Sequence, residues 1–192
     1  MSRRDQILEA ALRVFAETGF RGATTRRIAQ EAEVNEVTLF RHFPTKEELI
    51  TAAIEQDMAL HPPPALPVPP RDPEAELTVW CRQTLDHLSR KKAFIRKYMA
   101  ELHEYPQVLG CMHEKQHGMI QRLIDYLEAL KQQGWTAVDF DVAAAMQMLR
   151  GTVFSDAMSR DMVPMLLAQP PERAAAEYAR LFLRAIGVAV HG

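Results

Sequence analysis

The stretch TTRRIAQEAEVNEVTLFRHFPTK, residues 24–46, reads as two short helices joined by a tight turn, closed by Pro44 ahead of a further element. Ile28, Ala29 and Ala32 share one face of the first helix, Val34 fills the turn, and Leu39 and Phe43 repeat at helical spacing on the second. That is the apolar skeleton of a helix-turn-helix. Thr24 and Asn35 stand where each helix needs a side-chain acceptor for its first free backbone N–H groups. With the inward positions taken, Arg26, Glu36, Val37, Thr38, Phe40, Arg41 and His42 are left to face outward or lie at the rim. This mix of basic, hydroxyl, apolar and aromatic groups suits a nucleic-acid groove.

Further pieces fall at fixed spacing around this core: Gly19-Phe20, Thr24-Thr25, Ile28-Ala29, Thr38-Leu39-Phe40-Arg41-His42-Phe43 and Lys46-Glu47-Glu48-Leu49. Together they resemble the tetracycline-repressor (TetR) family of one-component bacterial transcription regulators, over about the first 50–57 residues. Three positions depart from that pattern: Glu33 stands where the family usually has Gly, Val37 where a small residue is common, and Phe40 where Tyr is usual. Phe40 keeps a stacking face but has no hydroxyl to donate to a phosphate.

The resemblance implies a homodimer on a pseudo-palindromic DNA operator, with the second helix in the major groove. Chemistry and position in the family motif assign Thr25, Arg26, Glu36, Val37, Thr38, Phe40, Arg41, His42 and Lys46 to DNA. Thr38, His42 and Lys46 are expected on phosphates. Arg26 and Arg41 are candidates for guanine edges, Val37 for a thymine methyl and Glu36 for a cytosine amino group, with Phe40 packed on the backbone sugar.

Composition sets outer bounds. A chain of 192 residues, 47% hydrophobic, can bury a substantial core. The formal net charge of −2 gives no support to nucleic-acid binding from the chain as a whole. Residues 1–46 hold eight Lys or Arg against six Asp or Glu, a surplus of only two, so placement must matter more than the sum. Arg3 and Arg4 fit either a solvated end or phosphate contacts. Cys81 and Cys111 are the two cysteines, far apart, which fits a reducing compartment rather than a disulfide framework. The expectation is a cytoplasmic protein with no membrane segment and no cofactor.

The chain before the reading pair is amphipathic over residues 2–18, with Ile7, Leu8, Ala11, Leu12, Val14 and Phe15 on one stripe and Gly19 as the stop. A fourth helix starts at Thr45 and runs to about residue 60. Residues 61–73, HPPPALPVPPRDP, hold seven of the twelve prolines and read as a polyproline-like link. Helical patterns then cover about 73–91, 93–103, 106–133, 139–160 and 171–190, with no strand-like alternation. The fold class is therefore all-α with about nine helices. The expected domains are a DNA-binding head at 1–50 with a connecting helix to about 60, the link at 61–73, and a ligand-binding and dimerisation domain at 74–192.

Val142, Met146, Leu149 and Val153, with Tyr178, Phe182 and Ile186, make two stripes with small residues between large ones, which either serve the chain's own core or meet a second subunit. The resemblance favours a four-helix bundle across a two-fold axis. Trp80, Phe94, Tyr98, Met99, Leu102, His103, Met112, His113, Met119 and Met146 supply enough aromatic and Met surface for an apolar effector cavity, though each residue alone fits a core equally well. The resemblance implies a small-molecule effector in this region.

One motif competes. Residues 113–117, HEKQH, match HExxH, in which two histidines on one helix face hold zinc and the Glu acts as base. The Lys and Gln between them suit a solvated turn, and the extended motif's third ligand is absent. The chain is accordingly read as a non-enzyme with no assigned metal. The alternatives are a metal- or thiol-responsive regulator using His113 and His117, or Cys81 and Cys111, and a zinc hydrolase.

Overall fold

The structure, a computed structural model, describes residues 2–62, 64–106, 111–165 and 169–190; the side chains of 111–117 and 119 are outside that description. Among the described residues there are nine helices: α1 Arg3–Gly22, α2 Thr25–Glu31, α3 Glu36–His42, α4 Lys46–Leu60, α5 Pro73–Arg90, α6 Lys92–Glu101, α7 Cys111–Gln132, α8 Val142–Ser159 and α9 Pro171–Ala185. They contain no strand, only an isolated bridge between Thr136 and Val188. None of these helices is long and apolar enough to cross a membrane.

Two units pack separately: Met1–Pro62 with Lys91–Lys115, and Pro63–Arg90 with Gln116–Gly192. This grouping differs from a head ending near residue 60, because α6 returns to the first unit. Its apolar face, Phe94, Tyr98 and Leu102, packs on the core of α1 to α4, where the Phe94 ring lies 5.3 Å from that of Phe15. A contact between residues so far apart in sequence leaves no local trace in either segment.

In the first unit α2 and α3 are capped as the sequence predicts, and α1 and α4 carry side-chain caps as well. Ser2 and Asp5 form a reciprocal capping box on α1. The Thr24 hydroxyl accepts from Arg27 N at 3.2 Å, Asn35 Oδ1 accepts from Thr38 N at 2.7 Å, and the Thr45 hydroxyl accepts from Glu48 N at 3.1 Å. The α2–α3 turn is a Schellman motif, with Val34 N donating to Ala29 O and Glu33 N to Gln30 O. The left-handed residue is Glu33, φ 53°. The same motif ends α7 and α9 with Gly134 and Gly187 in that position. Burial then follows the helical stripes: Ile28, Leu39, Leu49 and Ile50 are wholly buried beneath Ile7 and Phe15.

In the second unit α5 packs against α8 and α9, burying Leu77, Cys81 and Leu85. Leu149, Val153, Phe182 and Ile186 are also buried within this one chain, and the Tyr178 hydroxyl is engaged with Asp156 at 2.8 Å. This corrects the expected subunit stripe: those residues are the chain's own core, while Val142 and Met146 are half-buried. The helix α8 is apolar around most of its circumference, so periodicity could not separate its inward face from its outward one. The outward face carries Met148, 47% exposed, and α9 presents Leu181, 60% exposed.

Candidate nucleic-acid interface

The capped turn fixes which side chains α3 can offer. Burying Leu39 turns Val37, Phe40, Arg41 and His42 outward, with Val37 70% exposed although it is apolar. Arg26 is exposed on α2, and Thr25, Glu36 and Thr38 are half-buried at the helix starts. The structure therefore brings eight of the nine expected DNA residues onto the surface of one helix pair. Within it, the Thr25 hydroxyl donates to Glu36 Oε2 at 3.1 Å, so this carboxylate is oriented at the N-terminus of α3, where partial positive charge favours it.

The small charge surplus is sorted by pairing. Arg13 faces Glu31 at 3.1 Å and Glu9 at 3.9 Å, and Arg27 faces Glu17 at 2.6 Å. Arg26 and Arg41 have no carboxylate partner among the described residues. Ion pairs thus engage Arg13 and Arg27, while Arg26 and Arg41 on the reading face are left for an outside anion.

Lys46, the ninth residue, opens α4 and is half-buried. Its ammonium donates to the Phe20 carbonyl at 2.7 Å and sits 4.2 Å over the Phe20 ring. Partial burial lowers its pKa, opposed by the negative charges of Glu47 and Glu101. Two contributors were not legible as such: Arg4, whose guanidinium lies 5.3 Å from the Phe43 ring at the end of α3, and Glu101, whose carboxylate accepts from Phe20 N. Arg4 carried a weak signal as an N-terminal cation; Glu101 carried none.

The effector candidates do not come together among the described residues. Phe94, Tyr98 and Leu102 are spent on packing α6 against α1, Met99 is 55% exposed and His103 is exposed. Trp80 and Met146 are half-buried in the second unit. The side chains of Met112, His113 and Met119 lie outside the description, as do those of His117 and Cys111. Among the described residues no group of three His, Cys, Asp or Glu could hold a metal ion. Cys81 is buried and its thiol is pushed up to about 12 by burial, which leaves it unreactive as a thiolate.

The family profile described as "Bacterial regulatory proteins, tetR family" matches residues 7–53, which span α1 to the middle of α4. The uncharacterized HTH-type transcriptional regulator YvkB of Bacillus subtilis (strain 168) is 30% identical over 129 residues, 67% of this chain and 68% of that one. The chain belongs to the TetR family. Like other TetR-family proteins it is a DNA-binding transcription regulator, and the helix pair α2–α3 is its helix-turn-helix. The HTH-type transcriptional repressor AcnR of Corynebacterium diphtheriae is 44% identical over 57 residues, 30% of each chain. The structure of the regulator FadR from Bacillus subtilis, in complex with stearoyl-CoA, superposes with a TM-score of 0.69 at 19% identity. That match covers 94% of this chain and 98% of that one, and it speaks to the TetR fold alone.

Proposed function

We propose that this chain is a homodimeric repressor whose α3 helices read the two halves of a pseudo-palindromic operator and which a small, largely apolar effector releases. The observation that carries the DNA half is the placement of charge: Arg26 and Arg41 stand exposed beside Val37 and Phe40 without a carboxylate partner among the described residues, while Arg13 and Arg27 are paired with Glu31 and Glu17. Arginine forks suit guanine edges and an exposed valine suits a thymine methyl. Thr38 and His42 are read as phosphate contacts, and Glu36 as the acceptor for a cytosine amino group.

Repression is supported by the likeness to the transcriptional repressor AcnR over 57 residues. Dimerisation is assigned to the outward faces of α8 and α9, where Met148 and Leu181 are exposed and a Cβ added at Gly151 would meet no neighbour within 4 Å, room for a close helix crossing. We assign the effector to residues 74–192 on family membership and on their Met and aromatic content; the FadR structure, a complex with stearoyl-CoA on a similar fold, supports a ligand with an apolar chain. The effector acts only if it binds the conformer with mismatched half-site spacing more tightly than the operator-bound one.

Selection of duplexes from a random pool tests the reading. The full chain should enrich one inverted repeat, and Arg26→Ala or Arg41→Ala should each relax a guanine position, at a cost of about 1–3 kcal/mol per lost bidentate contact. An enriched sequence unchanged by both substitutions would remove these base assignments.

A further inference from the structure

The Phe20 residue is held from both sides. Its N–H donates to Glu101 Oε2 at 2.5 Å, and its carbonyl accepts from Lys46 Nζ at 2.7 Å. Lys46 also lies over the Phe20 ring at 4.2 Å, and Tyr105 packs on that ring at 4.7 Å. The approach of Glu101 depends on the preceding residue being glycine: a Cβ at Gly19 would stand 1.8 Å from Glu101 Oε1, and the backbone there has φ 74°. One residue of α1 therefore couples a carboxylate at the end of α6 to an ammonium at the first residue of α4, all within the first unit.

A lysine at a helix N-terminus meets the partial positive charge of that end and ordinarily extends into water. Here its ammonium is anchored by one of its three donors, with the remaining two free for an acceptor outside. Anchoring removes much of the rotamer freedom that a phosphate contact would otherwise have to remove, so the contact becomes pre-organised.

We infer that Glu101 is a positioning residue for operator binding, which, without touching DNA, sets the Lys46 ammonium against a backbone phosphate by fixing the Phe20 residue between them. The inference rests on the DNA-binding reading above. It adds a determinant of DNA register located in α6, more than fifty residues beyond Lys46 in sequence. A phosphate contact at a fixed place selects register, so the loss should fall on specific rather than on sequence-blind binding. Glu101→Gln also removes a negative charge from the head, which by itself raises sequence-blind affinity.

A double-mutant cycle on the full chain tests this, using Glu101→Gln, Lys46→Met and the pair, with operator and scrambled duplexes titrated against salt. The expected result is that Glu101→Gln lowers the ratio of operator to scrambled affinity about tenfold, from loss of a charge-assisted anchor. In the Lys46→Met background the same substitution should leave the ratio unchanged. Lys46→Met should flatten the salt slope by about one per head, as expected for a lost phosphate contact. A tenfold loss that persists without the Lys46 ammonium would assign Glu101 to folding alone and overturn the inference, as would an unchanged ratio in Glu101→Gln. Absence of operator preference in the unsubstituted chain would instead overturn the DNA-binding reading itself.

Discussion

Replacing Gly19 with alanine should be the most damaging single-methyl change in the head. At φ 74°, ψ −178° the backbone is in a region populated essentially by glycine, and a side chain there costs about 1–3 kcal/mol. The new Cβ would lie 1.8 Å from Glu101 Oε1 and 2.6 Å from its carboxyl carbon, so the carboxylate must withdraw and release the Phe20 N–H. Losing a hydrogen bond to a charged group costs about 1.5–3 kcal/mol. The combined expectation is about 3–5 kcal/mol, a large share of a typical stability of about 5–15 kcal/mol. Urea unfolding at fixed protein concentration reads it as a lower midpoint with an unchanged slope. In a Glu101→Ala background the clash and the lost bond disappear from the difference, leaving only the backbone cost of about 1–3 kcal/mol. A Gly19→Ala cost below about 1 kcal/mol, or one equal in both backgrounds, would refute the reasoning.

The turn of the helix-turn-helix should respond in the opposite direction: Glu33→Gly relieves a left-handed side-chain residue, worth about 1–2 kcal/mol, against the greater freedom of glycine in the unfolded chain, for a net gain of about 0.5–1 kcal/mol by denaturant titration. In the second unit, Asp156 is 2% exposed and accepts from Arg160 Nε at 2.8 Å, Arg160 Nη2 at 2.6 Å and the Tyr178 hydroxyl at 2.8 Å. Asp156→Ala removes the carboxylate from a half-buried guanidinium, which keeps its bond to the Gln169 carbonyl, and from the Tyr178 phenol, and calorimetry should record a loss of about 2–4 kcal/mol. Cys81, with its thiol pushed up to about 12, should resist alkylation at pH 8 in the folded Cys111→Ser protein and react promptly in denaturant; rapid native reaction would restore Cys81 as a thiol sensor.

The head was legible because its signals are local. Caps at Thr24 and Asn35 and the stripe through Ile28, Leu39 and Phe43 are written within a few residues of where they act, and each stands in the structure where the pattern puts it; Thr45, read as the first residue of α4, is its cap instead. Glu33 marked the turn even without its usual glycine, because the surrounding Ala29–Val34 hydrogen bond needs only a left-handed residue. Helix positions beyond the head were legible too, from periodicity between proline and glycine breaks. What periodicity could not supply was the destination of each face. Leu149, Val153 and Phe182 were apolar at helical spacing whether they faced a partner or their own chain. Phe94 and Tyr98 similarly read as cavity-lining aromatics, but they serve the packing of α6 on α1, a contact made across some eighty residues of sequence. The Glu101–Phe20–Lys46 arrangement combines both problems, since its meaning depends on three helices meeting at one carbonyl and one N–H.

The central claim is that α3 and its uncommitted cations read DNA. Fluorescence-anisotropy binding of the full chain to duplex from immediately upstream of its own gene, titrated against salt, tests it most directly. Tight, sequence-selective binding that weakens steeply with salt is expected, because the unpaired basic groups of two heads displace counterions. Weak binding of equal strength to every duplex, repeated across neighbouring promoters, would contradict it.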